Sequence, residues 1–391
     1  MKVGIASCYY HHNYGSVLQA YATQIIIEKL GHEAITIVCK DPMIYMSQPK
    51  ITYYFHKLMN FDIVKDKIRK LKSKIEIKKY SEIVEGIAIR DKCFDDFSNK
   101  FFKLSETSNT RKELSCFAQK CDAVIVGSDM LWHPINIEHD YYTLTFVPDE
   151  VKKISYATSF GTTVIPKYQK KKARDFLKRF NSISVREQSG INVVKQLGVD
   201  KDVQVVLDPT LLFTAKEWMH IQNEEKFISG KYILCYFLGV NTEHRKIVNL
   251  IKEVTGYKIV ALQHLDEFVS ADIEFADIKP YNVGPSEFLN LIRNAEIVCT
   301  DSFHGTCFSL LNHKKFFVFN RFQDNNTQST NTRIDSLLKI VNLEDRRITA
   351  KTTEDNVLEQ LKELINYEVV DECLEVERKK SLLFLENAFS L

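Results

Sequence analysis

The stretch Val298-Cys-Thr-Asp-Ser-Phe-His-Gly-Thr-Cys-Phe-Ser-Leu-Leu-Asn-His313 sets a small-residue turn, a histidine and a helix start between two apolar runs. Glu296 to Thr300 reads as the end of a buried strand, Thr306 to Leu311 as the first turns of a helix, and Lys315 to Asn320 as the next strand. Asp301, Ser302 and Thr306 carry short side chains that suit helix capping, and Gly305 permits close approach of the backbone. His304 at such an N-terminus would lie beside unpaired amides that favour an anion. On spacing alone, the same residues also read as an ordinary cap with a turn histidine.

Working outward, the chain repeats this order. Lys2 to Cys8 is a strand, Ser16 to Leu30 an apolar-periodic helix closed by Gly31, and Ala34 to Val38 a second strand. Between the first two lies Tyr9-Tyr-His-His-Asn-Tyr-Gly-Ser16, placing His12 and Asn13 where open α/β sheets bind ligands. No G-x-G-x-x-G fingerprint is present, so a Rossmann-like layout is supported and NAD binding is not. Strand-then-helix signals recur from Asp122 to Asp208, and a second series runs from Tyr232 to Ile340. The reading is α/β with two Rossmann-like domains and an interdomain cleft: residues 1–208 with a basic helical insertion near 50–110, residues 209–350, and a helical tail over 351–391. In the insertion, Lys57 to Lys79 interleaves lysine and arginine with apolar residues, which fits either a solvated helix or contact with anionic lipid or a lipid-linked phosphate.

Composition excludes several classes. Fifty-three basic and fifty-one acidic residues leave a net charge of +2, which is no nucleic-acid footprint. Nine cysteines without a C-x-x-C pair read as reduced core thiols and point to the cytoplasm. Met1 to Cys8 lacks a signal-peptide profile, and no uncharged run approaches the ~20 residues that span a bilayer. Action on a membrane-attached substrate would therefore occur at the inner surface. No compact set of metal ligands occurs, so no structural zinc is expected, while divalent-metal assistance and oligomeric state stay open.

Six signatures appear in order: Asn13-Tyr-Gly-Ser-Val-Leu-Gln-Ala-Tyr21, Val126-Gly-Ser-Asp-Met-Leu-Trp-His-Pro134, Tyr156-Ala-Thr-Ser-Phe-Gly161, Ser184-Val-Arg-Glu187, Leu207-Asp-Pro-Thr-Leu211 and Thr300-Asp-Ser-Phe-His-Gly-Thr306. Together they resemble the polysaccharide pyruvyltransferase family over about residues 3–320. The resemblance implies a fold similar to GT-B glycosyltransferases. It also implies transfer of the enolpyruvyl-derived group of phosphoenolpyruvate to a sugar diol as a cyclic ketal, with phosphate released and no cofactor required. The acceptor would be a sugar or a lipid-linked oligosaccharide. Competing readings are a GT-B-like glycosyltransferase using an activated sugar and a noncatalytic carbohydrate-binding protein.

Ketal formation needs the donor's phosphate and carboxylate held by cations or amides, a proton for the methylene carbon and a base for a hydroxyl. Arg186 matches the family's arginine after the Ser-Val strand and is the expected anion clamp, and His304 matches its second-domain histidine as general acid or phosphate anchor. Ser302, Gly305 and Thr306 accompany His304 on the donor side. The arginine that many members carry two positions before this histidine is Ser302 here, which turns attention to Arg321 and Arg333 for the missing charge. On the acceptor side stand Asn13, Gly15, Ser16, Ser128 and Trp132, with Trp132 as a stacking surface. Asp129 is a candidate hydroxyl base or a turn cap, and His12 and His133 are further acid/base candidates.

Overall fold

All strand pairings among the described residues are parallel, in two separate sheets. The computed structural model describes residues 1–40, 61–264, 267–321 and 332–390, without the side chains of 61–67. Lys57, where the basic stretch begins, lies outside them. The chain divides into two compact units. The first comprises Met1–Lys57, Ser98–Leu212 and Leu374–Leu391, and the second Leu58–Phe97 and Phe213–Cys373.

In the first unit, β1 (Lys2–Ala6), β2 (Glu33–Cys39), β3 (Leu104–Ser108), β4 (Ala123–Val126), β5 (Lys152–Ser155), β6 (Ser182–Val185) and β7 (Val203–Val205) lie in the order β3-β2-β1-β4-β5-β6-β7. The central β4 reads Ala-Val-Ile-Val and is buried throughout, as a strand of a parallel sheet covered by helices must be. The helix Tyr14–Lys29 follows β1, capped by Asn13, whose side chain accepts the Ser16 amide. Strand order reverses between β1 and β4, and such a reversal opens a crevice at the strands' carboxyl ends.

The second unit holds β8 (Tyr232–Tyr236), β9 (Lys258–Leu262), β10 (Ile297–Thr300), β11 (Lys315–Phe319) and β12 (Arg347–Ile348) in the order β12-β11-β10-β8-β9. Its reversal lies between β8 and β10. The apolar core beneath includes Ile233, Cys235, Cys299 and Phe317. Two Rossmann-like α/β units are therefore present, as the alternation of strand and helix signals implies.

One segment falls elsewhere than the sequence suggests. Residues 61–97, expected with the first domain, belong to the second unit. The buried Arg90 explains this, because its guanidinium donates to the carbonyls of Gln263 and Pro280 at 2.7 and 3.1 Å. Arg69 also pairs with Glu267 at 2.8 Å. The helical tail comprises two helices: Glu354–Lys362 lies in the second unit, and the final helix, Tyr367–Ser390, carries Arg378 and Ser381 in the first. There Arg378 donates to the Leu211 carbonyl, and Ser381 accepts the Leu207 amide.

Candidate active site

At the reversal of the second sheet, the helix after β10 begins at Phe303, one turn earlier than its spacing suggests. The reason is the cap: Ser302 accepts the Gly305 amide, and Thr306 turns its hydroxyl back to the Ser302 carbonyl at 3.0 Å. Thr306 is thus an internal helix residue and not the cap or a ligand arm. Gly305 is required by packing, since a Cβ there would lie 2.5 Å from the Thr300 hydroxyl oxygen. Directly after the cap, the amides of Phe303 and His304 stand in the first turn of the helix. His304 is itself buried, with its ring edge-on to Phe303.

Asp301 plays a different part from the cap expected of it. Its carboxylate accepts the amides of Leu238 and Gly239 at 2.6 and 2.8 Å, joining the loop after β8 to the loop after β10. Both candidate cations reach this end of the sheet. A Cβ on Gly239 would approach the Arg321 Cγ to 3.0 Å, and the Arg333 guanidinium lies 6.0 Å from the Phe303 ring centroid. The sequence left the position of both arginines open.

A polar group absent from the sequence reading also holds the loop after β8. His264 contacts the Gly239 carbonyl through Nε2 at 3.1 Å and Asp272 through Nδ1 at 2.8 Å. Arg245 grips the same carboxylate and donates to the Asn241 carbonyl at 2.7 Å. Burial alone would raise Asp272, but His264 and Arg245 hold it below the ordinary aspartate value. His244 stands at the start of the helix Glu243–Thr255, among Phe237 and Phe319. Burial lowers it to about 4, against the opposing pull of Asp301. These residues were missed because 27 positions separate Arg245 from Asp272, and no local motif marks the pair.

In the first unit, the crevice between β1 and β4 centres on Asp129, whose φ of 83° is the left-handed conformation that a short polar side chain tolerates. One carboxylate oxygen accepts the Ser16 hydroxyl at 2.8 Å and faces the Cys8 thiol at 3.8 Å, while the other accepts the Met130 amide. Burial first, and then Asp129, push the Cys8 thiol well above its usual value, keeping it a protonated donor. The Asp129 side chain retains 16% exposure, enough to meet a hydroxyl.

Three expectations are corrected here. Arg186 is no solvent-facing clamp: its side chain is 2% exposed, 3.0 Å from Asp208 and 3.8 Å from both Asp129 and Glu187. Burial opposes its charge, but the three carboxylates outweigh that and raise its pKa. Trp132 is fully buried among Phe160, Phe176 and Phe180 and donates its Nε1 hydrogen to the Tyr142 carbonyl, so no sugar can stack on it. Ser128 is equally enclosed and donates to Asp208 at 2.7 Å. Asp208 itself, from the Leu-Asp-Pro-Thr signature, had been given no role. Gly15 lies buried in the first helix, His12 is exposed on the preceding loop, and His133 caps the short helix Pro134–Ile137. Among the described residues, no group of three or more His, Cys, Asp or Glu side chains is placed to hold a metal ion.

Comparison with known proteins sets these two crevices in context. No curated protein matches the chain significantly in sequence. In three dimensions it is similar to UDP-GlcNAc 2-epimerase from Neisseria meningitidis, solved with UDP-GlcNAc, at 11% identity and a TM-score of 0.52 over 98% of this chain and 100% of that one. It is also similar to UDP-GlcNAc 2-epimerase from Methanocaldococcus jannaschii, at 13% identity and a TM-score of 0.50 over 94% and 93% of the two chains. At such identity these likenesses show the fold alone. The family profile described as polysaccharide pyruvyl transferase matches residues 13–321, from the cap of the first helix to the arginine beside Gly239. The chain belongs to the polysaccharide pyruvyl transferase family.

Proposed function

We propose that the protein transfers the pyruvyl group of phosphoenolpyruvate to a sugar diol of a cell-surface polysaccharide or its lipid-linked precursor, as a cyclic ketal. The family match over residues 13–321 carries this reading. The second unit supports it with a helix mouth, a buried histidine and two arginines at one end of a parallel sheet. There the Phe303 and His304 amides, with Arg321 and Arg333, hold the donor's phosphate and carboxylate. His304 delivers a proton to the methylene carbon, which becomes the methyl group. One hydroxyl adds to C2 and loses its proton, the phosphate departs with the electrons of its C–O bond, and the second hydroxyl closes the ketal on C2. The two hydroxyl protons balance the one gained by carbon and the one gained by phosphate. Asp129, oriented by Ser16 and Met130, serves as the hydroxyl base. No electrons are exchanged with a cofactor, so none is invoked.

Purified protein incubated with phosphoenolpyruvate and a panel of diol-bearing glycans tests this. Phosphate release should require an acceptor, and the acceptor should gain the mass of one pyruvate less one water. Nucleotide release from sugar nucleotides, with phosphoenolpyruvate untouched, would indicate glycosyl transfer instead.

A further inference from the structure

Among the described side chains, the helix Phe61–Ile77 buries one side and leaves an apolar stripe exposed on another. Ser73 and Ile77 are buried, with the Ser73 hydroxyl accepting the Phe268 amide. Ile68, Leu71 and Ile75, spaced three and four residues apart and so on one face, are 51%, 63% and 55% exposed. Helical spacing places Lys72 along one edge of this stripe and Lys74 along the other, with Lys78 in the turn that follows the helix, all exposed. Residues 61–79 carry eight Lys or Arg against three Asp or Glu, in a chain whose net charge is only +2. Arg69 is spent on Glu267 and fixes the helix to its unit.

We propose that this face docks on an anionic lipid bilayer, with Ile68, Leu71 and Ile75 entering the acyl boundary and Lys72, Lys74 and Lys78 meeting headgroup phosphates. Branched apolar side chains edged on both sides by lysine suit a flat, anionic, apolar-backed partner. A second copy of the chain fits poorly, because a two-fold contact through this face would set the same lysines against each other. No helix among the described residues is long and apolar enough to cross a membrane, so the contact is peripheral. The proposal is independent of pyruvyl transfer. It places the protein beside any lipid-linked acceptor.

Sedimentation of the full chain with vesicles of phosphatidylcholine, with and without phosphatidylglycerol, tests it. The native protein should bind only the anionic vesicles and should release as salt rises. Ile68→Ser/Leu71→Ser/Ile75→Ser and Lys72→Gln/Lys74→Gln/Lys78→Gln should each lower partitioning at least about tenfold. All six side chains are exposed, so thermal midpoints should match the native protein. Unchanged binding in either variant overturns the proposal. So does a native dimer, seen by light scattering, that the serine variant dissolves while vesicle binding persists.

Discussion

The Asp301 carboxylate holds the Gly239 amide at 2.8 Å across 62 residues of sequence, and so ties the first loop of the second sheet to the turn that leads into the helix carrying His304. The same carboxylate also accepts Leu238. Asp301→Ala would leave two donors without their acceptor in a site only 3% exposed. The expected loss is about 2–4 kcal/mol of stability, read by urea denaturation, with a raised KM for phosphoenolpyruvate. Asp301→Asn keeps one acceptor oxygen and should lose less.

Arg186 is held among three carboxylates in the first unit. Removing it strands Asp208 and Glu187, both almost fully buried, beside Asp129. Arg186→Ala should therefore cost about 3–5 kcal/mol and yield little folded protein, whereas Arg186→Lys should fold with reduced stability. Native-like melting of R186A would remove Arg186 from this structural role.

The buried His244 gives an acid-side signature. Folded, it takes up a proton only near about 4, because burial disfavours its charge, while the unfolded chain binds one near the ordinary 6.5. The unfolded state thus binds more protons between those values, so stability is fully present above about 6.5 and declines as pH falls toward 4, by on the order of 1.4 kcal/mol per pH unit. His244→Gln should flatten that part of the stability curve, measured by urea denaturation at several pH values. An unchanged slope would contradict the assignment.

The strand-helix alternation was legible because most of the parallel strands are short apolar runs and a glycine such as Gly31 marks a helix end. β3 and β12 were not: Leu-Ser-Glu-Thr-Ser has no buried face to betray it, and Arg-Ile is a two-residue edge. At the candidate site, the Asp129 turn, the Ser302 cap and the helix start at His304 could be placed from local sequence. Burial could not, because it depends on partners far along the chain. That is why Trp132 passed for a sugar platform and Arg186 for an anion clamp, and why the Arg245–Asp272–His264 group escaped notice.

Asp129→Asn and His304→Asn separate chemistry from scaffold. Asn tolerates the left-handed backbone of Asp129 and keeps most of its hydrogen bonds, so the fold should persist while the base is lost. His304→Asn should retain donor binding and lose proton delivery. Each should lower kcat at least about 100-fold in a pre-steady-state assay, with thermal melting as the control. A native chemical-step rate in well-folded His304→Asn would return His304 to a purely structural place at the helix start.

The most direct measurement uses phosphoenolpyruvate carrying oxygen-18 in the bridge between C2 and phosphorus, with an accepted diol. Pyruvyl transfer takes both ketal oxygens from the sugar, so the label should leave entirely in phosphate while the glycan gains an unlabelled ketal. Label retained in free pyruvate, or donor left intact with every diol offered, would contradict the account.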